Sequence, residues 1–213
     1  MNGAVGFLET IGLTPALVAM DLMCKSAPVR ILQVEVNDLY GVCLKLTGPV
    51  EAVNVAIQVG RRMAERMRGN PVSHVITSLA TDAECAVISP PEYNPLIQQE
   101  VVFHVDATAL NENKKGSDKM DPENSYALGL IETQGFTAVF EAIDTACKTA
   151  SVEVVGKEKL GGGYVTVIIK GELSAVTAAV EAGQGKIGAL GKLIAAHVIA
   201  RPSQPVLALL PKI

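Results

Sequence analysis

The chain contains no tryptophan, and aromatic residues of all kinds make up only 4% of its 213 positions. Histidine is as scarce: His74, His104 and His197 are the only three, and their separation gives no metal-ligand spacing. Cysteine appears at positions 24, 43, 85 and 147, never as a Cys-x-x-Cys pair. Cys24 and Cys147 fall on an apolar helical pattern and are expected to be buried free thiols, in keeping with a reducing, cytosolic compartment. Positive charge is not in excess either. A formal net charge of −4 gives no basis for nucleic-acid binding. The longest apolar run, Leu190 to Ala200, is broken by Lys192 and His197 and is too short to cross a bilayer, so no membrane partner is expected. No positive charge precedes the first apolar stretch after Met1-Asn2-Gly3, and no secretory signal is expected. No nucleophile–base pair or paired carboxylate stands out, which argues against an enzyme.

What is present is small and apolar. Hydrophobic residues make up 49% of the chain, drawn from Ala, Val, Leu and Ile with 19 glycines beside them. Mean hydropathy is +0.32. An apolar surplus in a chain without a membrane span points to protein–protein contact in an oligomer.

The order of these residues is periodic on a long scale. Ala4-Val5-Gly6-Phe7-Leu8-Glu9-Thr10-Ile11-Gly12-Leu13-Thr14 returns, about 123 residues later, as Ala127-Leu128-Gly129-Leu130-Ile131-Glu132-Thr133-Gln134-Gly135-Phe136-Thr137. The register then holds without a gap. Asp21 lies over Asp144, Cys24-Lys25 over Cys147-Lys148, Gly48 over Gly171, Gly60 over Gly183, and His74-Val75-Ile76 over His197-Val198-Ile199. There are roughly 22 identities in about 73 aligned positions. The chain is therefore two copies of one small domain, with a first domain over 1–98, a linker carrying one extra strand over 99–124, and a second domain over 125–213.

Each copy reads strand, helix, strand, strand, helix, strand. Val5–Thr10 is a short apolar strand, and Thr14 with Pro15 is expected to cap and open the first helix, as Thr137 is in the second copy. Leu17, Met20, Cys24 and Ala27 are spaced as one buried stripe. Strands follow at 29–36 and 42–47, the second with Val42, Leu44 and Leu46 on one face and Cys43, Lys45 and Thr47 on the other. Val165, Val167 and Ile169 alternate in the same way with Thr166, Ile168 and Lys170. Gly48 and Gly171 mark the turn into a second helix, with spines Val53, Ala56, Ile57, Gly60 and Val176, Ala179, Val180, Gly183. This order implies an α+β fold, two tandem ferredoxin-like (βαββαβ) domains. Between the copies, Pro90-Pro91 and Pro95 argue for an irregular tail, Val101–Asp106 for one added strand, and 111–125 for a solvated linker.

Three stretches of the second copy carry a resemblance: Leu128 to Thr137, Lys157-Glu158-Lys159-Leu160-Gly161-Gly162-Gly163-Tyr164-Val165-Thr166-Val167, and Ala196-His197-Val198-Ile199-Ala200-Arg201-Pro202. In order and spacing they resemble a bacterial microcompartment shell protein over essentially all of 126–213. Residues 3–78 look like a more diverged copy, so the whole is similar to tandem-domain shell proteins, which form trimers shaped as pseudohexamers. The resemblance implies a non-catalytic homotrimeric tile in the shell of a bacterial microcompartment in the cytoplasm. It would pack edge to edge with other shell proteins, enclose enzymes, and pass small metabolites through a central pore.

The same resemblance assigns sites. The loop between the second and third strands lines the pore in the family; here that is Asn37, Asp38, Leu39 and Tyr40 in copy one and Leu160, Gly161, Gly162 and Gly163 in copy two. Three Asp38 carboxylates around one axis would make an acidic ring. Some tandem members hold an iron–sulfur cluster on a Cys in this loop; no Cys falls in 37–40, and no cofactor or metal is expected. Tile-edge contact is implied for Lys25, Lys148 and Arg201, with Ser78 in the place of Arg201 in copy one.

Several features carry a plainer reading. Lys25 and Lys148 are also cations in a helix's last turn, favoured by its dipole. Gly183-Gln184-Gly185-Lys186-Ile187-Gly188 fits a dinucleotide fingerprint in spelling only, since it continues a helix instead of following a strand. Arg61, Arg62, Arg66 and Arg68 read as a solvated helix face. His74 and His197 read as core or interface histidines, and Glu9 and Glu132 as hydrogen-bonding residues at a subunit interface. The alternative function is a sensing or carrier module of ferredoxin-like fold that binds a small molecule between subunits.

Overall fold

A computed structural model of the chain describes residues 3–37, 40–105 and 126–211. Copy one begins with strand β1 (Ala4–Ile11) and helix α1 (Leu13–Ser26). The hairpin of β2 (Arg30–Val36) and β3 (Gly41–Gly48) leads to helix α2 (Val50–Arg66) and strand β4 (Val72–Ile76). A single helical turn, α3 (Glu84–Val87), and the short strands β5 (Tyr93–Asn94), β6 (Gln99–Glu100) and β7 (Val102–His104) follow. Copy two consists of β8 (Ala127–Gln134), α4 (Phe136–Thr149), β9 (Glu153–Gly161), β10 (Tyr164–Gly171), α5 (Leu173–Gly185) and β11 (Lys192–Ile199). A last short helix, α6 (Gln204–Ala208), ends the described part.

Both copies have the expected βαββαβ order and an antiparallel sheet. The strand order is β4-β1-β3-β2 in one and β11-β8-β10-β9 in the other. The repeat extends to individual partners: Glu9 lies opposite Cys43 and Val72, and Glu132 opposite Thr166 and Ala195. The helix spines read from the sequence face the sheets. Val53, Ala56, Ile57 and Gly60 are buried on α2, and Val176, Ala179, Val180 and Gly183 on α5. Gly60 lets Met23 and Leu8 close over the backbone, since a Cβ there would lie 2.2 Å from the Met23 sulfur.

Other expectations are corrected. α1 has no single buried stripe; every residue from Thr14 to Asp21 is buried, and Met23 with them. The reason is that copy two packs on its far side: α1 lies against its own sheet and α2, and also against β8, β11 and α6. Only Ala138, Val139, Ala142 and Ala146 are buried on the equivalent helix α4. Cys147 is therefore exposed, against expectation, whereas Cys24 is half-buried and its thiol is pushed up to about 12, first by burial and then by Asp21. Thr14 does not cap α1 and Thr137 does not cap α4. The helices start at Leu13 and Phe136, with Gly12 and Gly135 at the cap positions.

The segment between the copies adds to the first sheet. The added strand expected over Val101–Asp106 is observed over Val102–His104, where it pairs with β2, and the Pro-containing stretch before it forms the β5–β6 hairpin. This hairpin bridges the two copies. Val36 donates its N–H to the Val101 carbonyl at 2.8 Å. The Gln99 side chain pairs with Lys159 of β9 like a strand, accepting its N–H at 3.0 Å and donating to its carbonyl at 2.5 Å. The linker from 106 onward lies outside the described residues.

Candidate functional site

The junction between the copies is the best-built part of the molecule. One face of the second sheet, with Val165, Val167 and Ile169, packs on its own helices; the other, with Leu128, Leu130 and Ile168, joins the core of copy one. Alternation along β10 therefore yields two buried faces, with Thr166 and Ile168 buried on the side away from its own helices.

Glu132 stands at the centre of the junction and is fully buried. Its two oxygens accept the N–H of Leu13 and the N–H of Thr14, both at 2.9 Å. These are orphan donors of the first turn of α1, so the cap that Thr14 was expected to supply comes from the other copy. Burial pushes the Glu132 carboxyl up from its ordinary value, and the Thr14 and Leu13 N–H groups oppose that rise. Gly12 permits the approach: its φ is +93°, and a Cβ would stand 3.1 Å from Glu132 Oε2. The hydrogen-bonding role expected for Glu132 is observed, at the junction of the two copies within the chain. Glu9 is exposed and accepts a hydrogen bond from Asn37 Nδ2 at 2.6 Å.

The sequence carries one signal for this junction. α1 is apolar on a second side, with Val18 and Leu22 where α4 carries Glu141 and Thr145, and such a helix is covered on more than one side.

The strand-two to strand-three loops of the two copies meet within the chain. Tyr40 stacks on Tyr164, ring centroids 4.4 Å apart and planes 7° from parallel. It also covers Gly162 so closely that a Cβ there would fall 1.9 Å from the ring edge. Gly161, Gly162 and Gly163 all take positive φ, which glycine tolerates without strain. Leu160 turns inward and is buried beside Leu13 and Leu17. The β5–β6 hairpin stands next to these loops, with Leu96 and Ile97 around the same cleft as Asn37, Gly161 and Gly162. Asp38 and Leu39 lie outside the described residues.

Lys25 and Lys148 occupy equivalent last turns but different surroundings. Lys25 Nζ lies 2.6 Å from the buried Asp21, whose other oxygen accepts the Ser203 N–H at 2.7 Å. Asp21 thus ties Lys25 to the segment just after Arg201. Lys148 pairs with Asp144 in the open. Arg201 is exposed with φ +98°, a conformation uncommon for a side chain of its kind. His197 is half-buried in the junction, and burial holds its imidazole below the ordinary value while Asp21 opposes. His74 is exposed. The four arginines of α2 and its C-terminal end are exposed, Arg61 paired with Glu65 at 2.9 Å, as a solvated face should be. No group of three or more His, Cys, Asp or Glu among the described residues could hold a metal, and no described helix is long and apolar enough to cross a membrane.

Two copies of one fold, joined head to tail, are matched by a family model twice: the BMC domain, over residues 4–79 and 127–202. The chain belongs to the BMC domain family. It is a tandem member of this bacterial microcompartment shell family. The carboxysome shell protein CsoS1C of Hydrogenovibrio crunogenus is 50% identical over 94 residues, 42% of this chain and 92% of that relative. The bacterial microcompartment shell protein PduA of Citrobacter freundii is 49% identical over 86 residues, 40% of this chain and 92% of PduA. Each of these BMC relatives is matched almost whole by less than half of this chain. A microcompartment protein of Desulfitobacterium hafniense DCB, known from a crystal structure, covers 94% of this chain and 96% of its own at 22% identity, with a TM-score of 0.35.

Proposed function

We propose that the chain is a structural component of a bacterial microcompartment shell, and that three chains close into a flat pseudohexameric tile. Its place is the shell of the organelle, in the cytoplasm, and its role is non-catalytic. Loops 37–40 and 160–163 surround a central pore for small metabolites, and Lys25, Lys148 and Arg201 lie on the edges where tiles meet other shell proteins around the enclosed enzymes.

The observation that carries this reading is the junction itself. The surface of copy one that faces copy two differs from the surface copy two offers in return, so the contact is heterologous, and a heterologous contact repeated by a rotation that closes gives a ring. The meeting of Tyr40 with Gly162 supports the pore assignment, because it brings the two loops side by side on one rim. Glycine loops expose backbone N–H groups to a passing solute.

The experiment is a mass measurement by native mass spectrometry, followed by electron microscopy at high protein concentration. The expected result is a particle of three chains that forms sheets or tubes, and loss of the sheets but not of the particle in Lys148→Ala. A monomer or dimer that saturates with a small metabolite overturns the reading in favour of a sensing or carrier module.

A further inference from the structure

Surfaces that one copy buries against the other have repeat equivalents that stand exposed in the single chain. On the helix side, Leu17 of α1 is 2% exposed, whereas its counterpart Phe140 on α4 is 50% exposed. On the sheet side, Ala195 of β11, a strand that α1 contacts, is 8% exposed, whereas its counterpart Val72 of β4 is 69% exposed. Asp21, buried, has its counterpart Asp144 in solvent.

The helix start shows the same pairing in finer detail. Gly12 donates its N–H to the Tyr40 carbonyl at 2.8 Å, and Gly135 donates to the Gly163 carbonyl at 2.9 Å. Thr10 Oγ1 donates to the Gly12 carbonyl, and Thr133 Oγ1 to that of Gly135. Both glycines have positive φ, +93° and +122°. The difference is the carboxylate. Glu132 fills the space at Gly12, while around Gly135 no atom comes within 3.7 Å of where a Cβ would be, and α4 has no side-chain cap. The residue equivalent to Glu132 is Glu9, exposed on β1.

We propose that Glu9 caps α4 of a second copy of this chain, its two oxygens accepting the N–H groups of Phe136 of the partner subunit and Thr137 of the partner subunit. This is the Glu132–α1 contact made between chains instead of within one. The same movement lays the exposed Phe140 side of α4 on the open face of β4. The partner is a second copy because the template for the contact, down to the glycine that admits the carboxylate, is this chain's own junction. The proposal rests on the ring reading above and adds the residue pair that closes each junction between chains.

The test is the assembly constant of wild type, Glu9→Ala and Glu9→Gln by analytical ultracentrifugation, with amide hydrogen exchange at Phe136 and Thr137. Because Glu9 is exposed in the single chain, the variants are expected to fold, which circular dichroism checks. Glu9→Ala should weaken association roughly tenfold or more at each junction, with Glu9→Gln between it and wild type. The two amides should be protected in the wild-type assembly and exchange freely in Glu9→Ala. If wild type assembles and Glu9→Ala matches it in both readouts, the cap is overturned while the ring stands. If wild type never assembles at any concentration, the ring reading fails and the cap with it. Should a variant fail to fold, slow wild-type exchange at the two amides that appears only in the assembly supports the cap; unprotected amides in an intact assembly overturn it.

Discussion

The Glu132 carboxylate accepts the Thr14 backbone N–H at 2.9 Å across 118 positions of sequence. Removing it leaves two helix-start donors without a partner, the buried one of Thr14 and the part-buried one of Leu13. Glu132→Ala should lower the unfolding free energy by about 1–3 kcal/mol for each donor stranded. Glu132→Gln, which keeps one acceptor oxygen, should fall between the two. Urea unfolding checks this, and equal stability of all three proteins would show that the cap contributes nothing.

Gly12 and Gly135 form a matched pair for separating backbone strain from lost contact. Both positions have positive φ, so alanine strains either one by roughly 1–3 kcal/mol. Only at Gly12 does the added carbon also press on Glu132. In dilute single chains Gly12→Ala should be the more destabilising substitution, and equal shifts in urea midpoint would contradict the close approach.

Asp21 and Asp144 make the same comparison for charge. Asp21 holds Lys25 and the Ser203 N–H in a buried setting; Asp144 holds Lys148 in solvent. Asp144→Ala should change single-chain stability by less than about 0.5 kcal/mol, whereas Asp21→Ala should cost about 1–3 kcal/mol. Added salt should leave the Asp21 effect largely intact.

Glu158 makes stability depend on pH. Its carboxyl lines an apolar cleft with Leu13, Leu17, Val34 and Leu160, and burial pushes it from 4.5 to about 7, with Lys159 opposing. Between those values the folded chain keeps a proton that the unfolded chain has released. The contribution of Glu158 is therefore fully present below about pH 4.5 and is lost as pH rises through about 7. Glu158→Gln should flatten that part of the stability curve, by up to about 3 kcal/mol across the window. A wild-type curve no steeper than the variant's would count against a half-buried Glu158 that keeps its proton.

The fold was legible because a repeat with a constant offset constrains every element twice. Strand alternation, helix spines and the glycine turns are local patterns, and each appeared in both copies. The caps were misread for a physical reason. Thr14 is a good cap by local preference, but the helix opens one residue earlier, where a fully buried carboxylate 118 positions away accepts the Leu13 and Thr14 N–H groups instead, and a contact of that range leaves no periodicity. Cys147 was misjudged similarly: equivalence in the repeat gives equivalence of backbone, and burial depends on which surface the other copy covers. The β5–β6 hairpin, set among prolines, reaches β9 through the Gln99 amide and could not be read from apolar spacing.

One consequence of the tandem arrangement concerns dilution. The Glu132–α1 junction joins two parts of one polypeptide, so its strength does not depend on protein concentration. A ring of six separate copies would have every junction exposed to mass action, whereas a ring of three such chains exposes only every second one. The covalent junctions can also change in sequence without the others changing, as Tyr40 against Gly162 already shows, so one rim can carry two alternating chemistries.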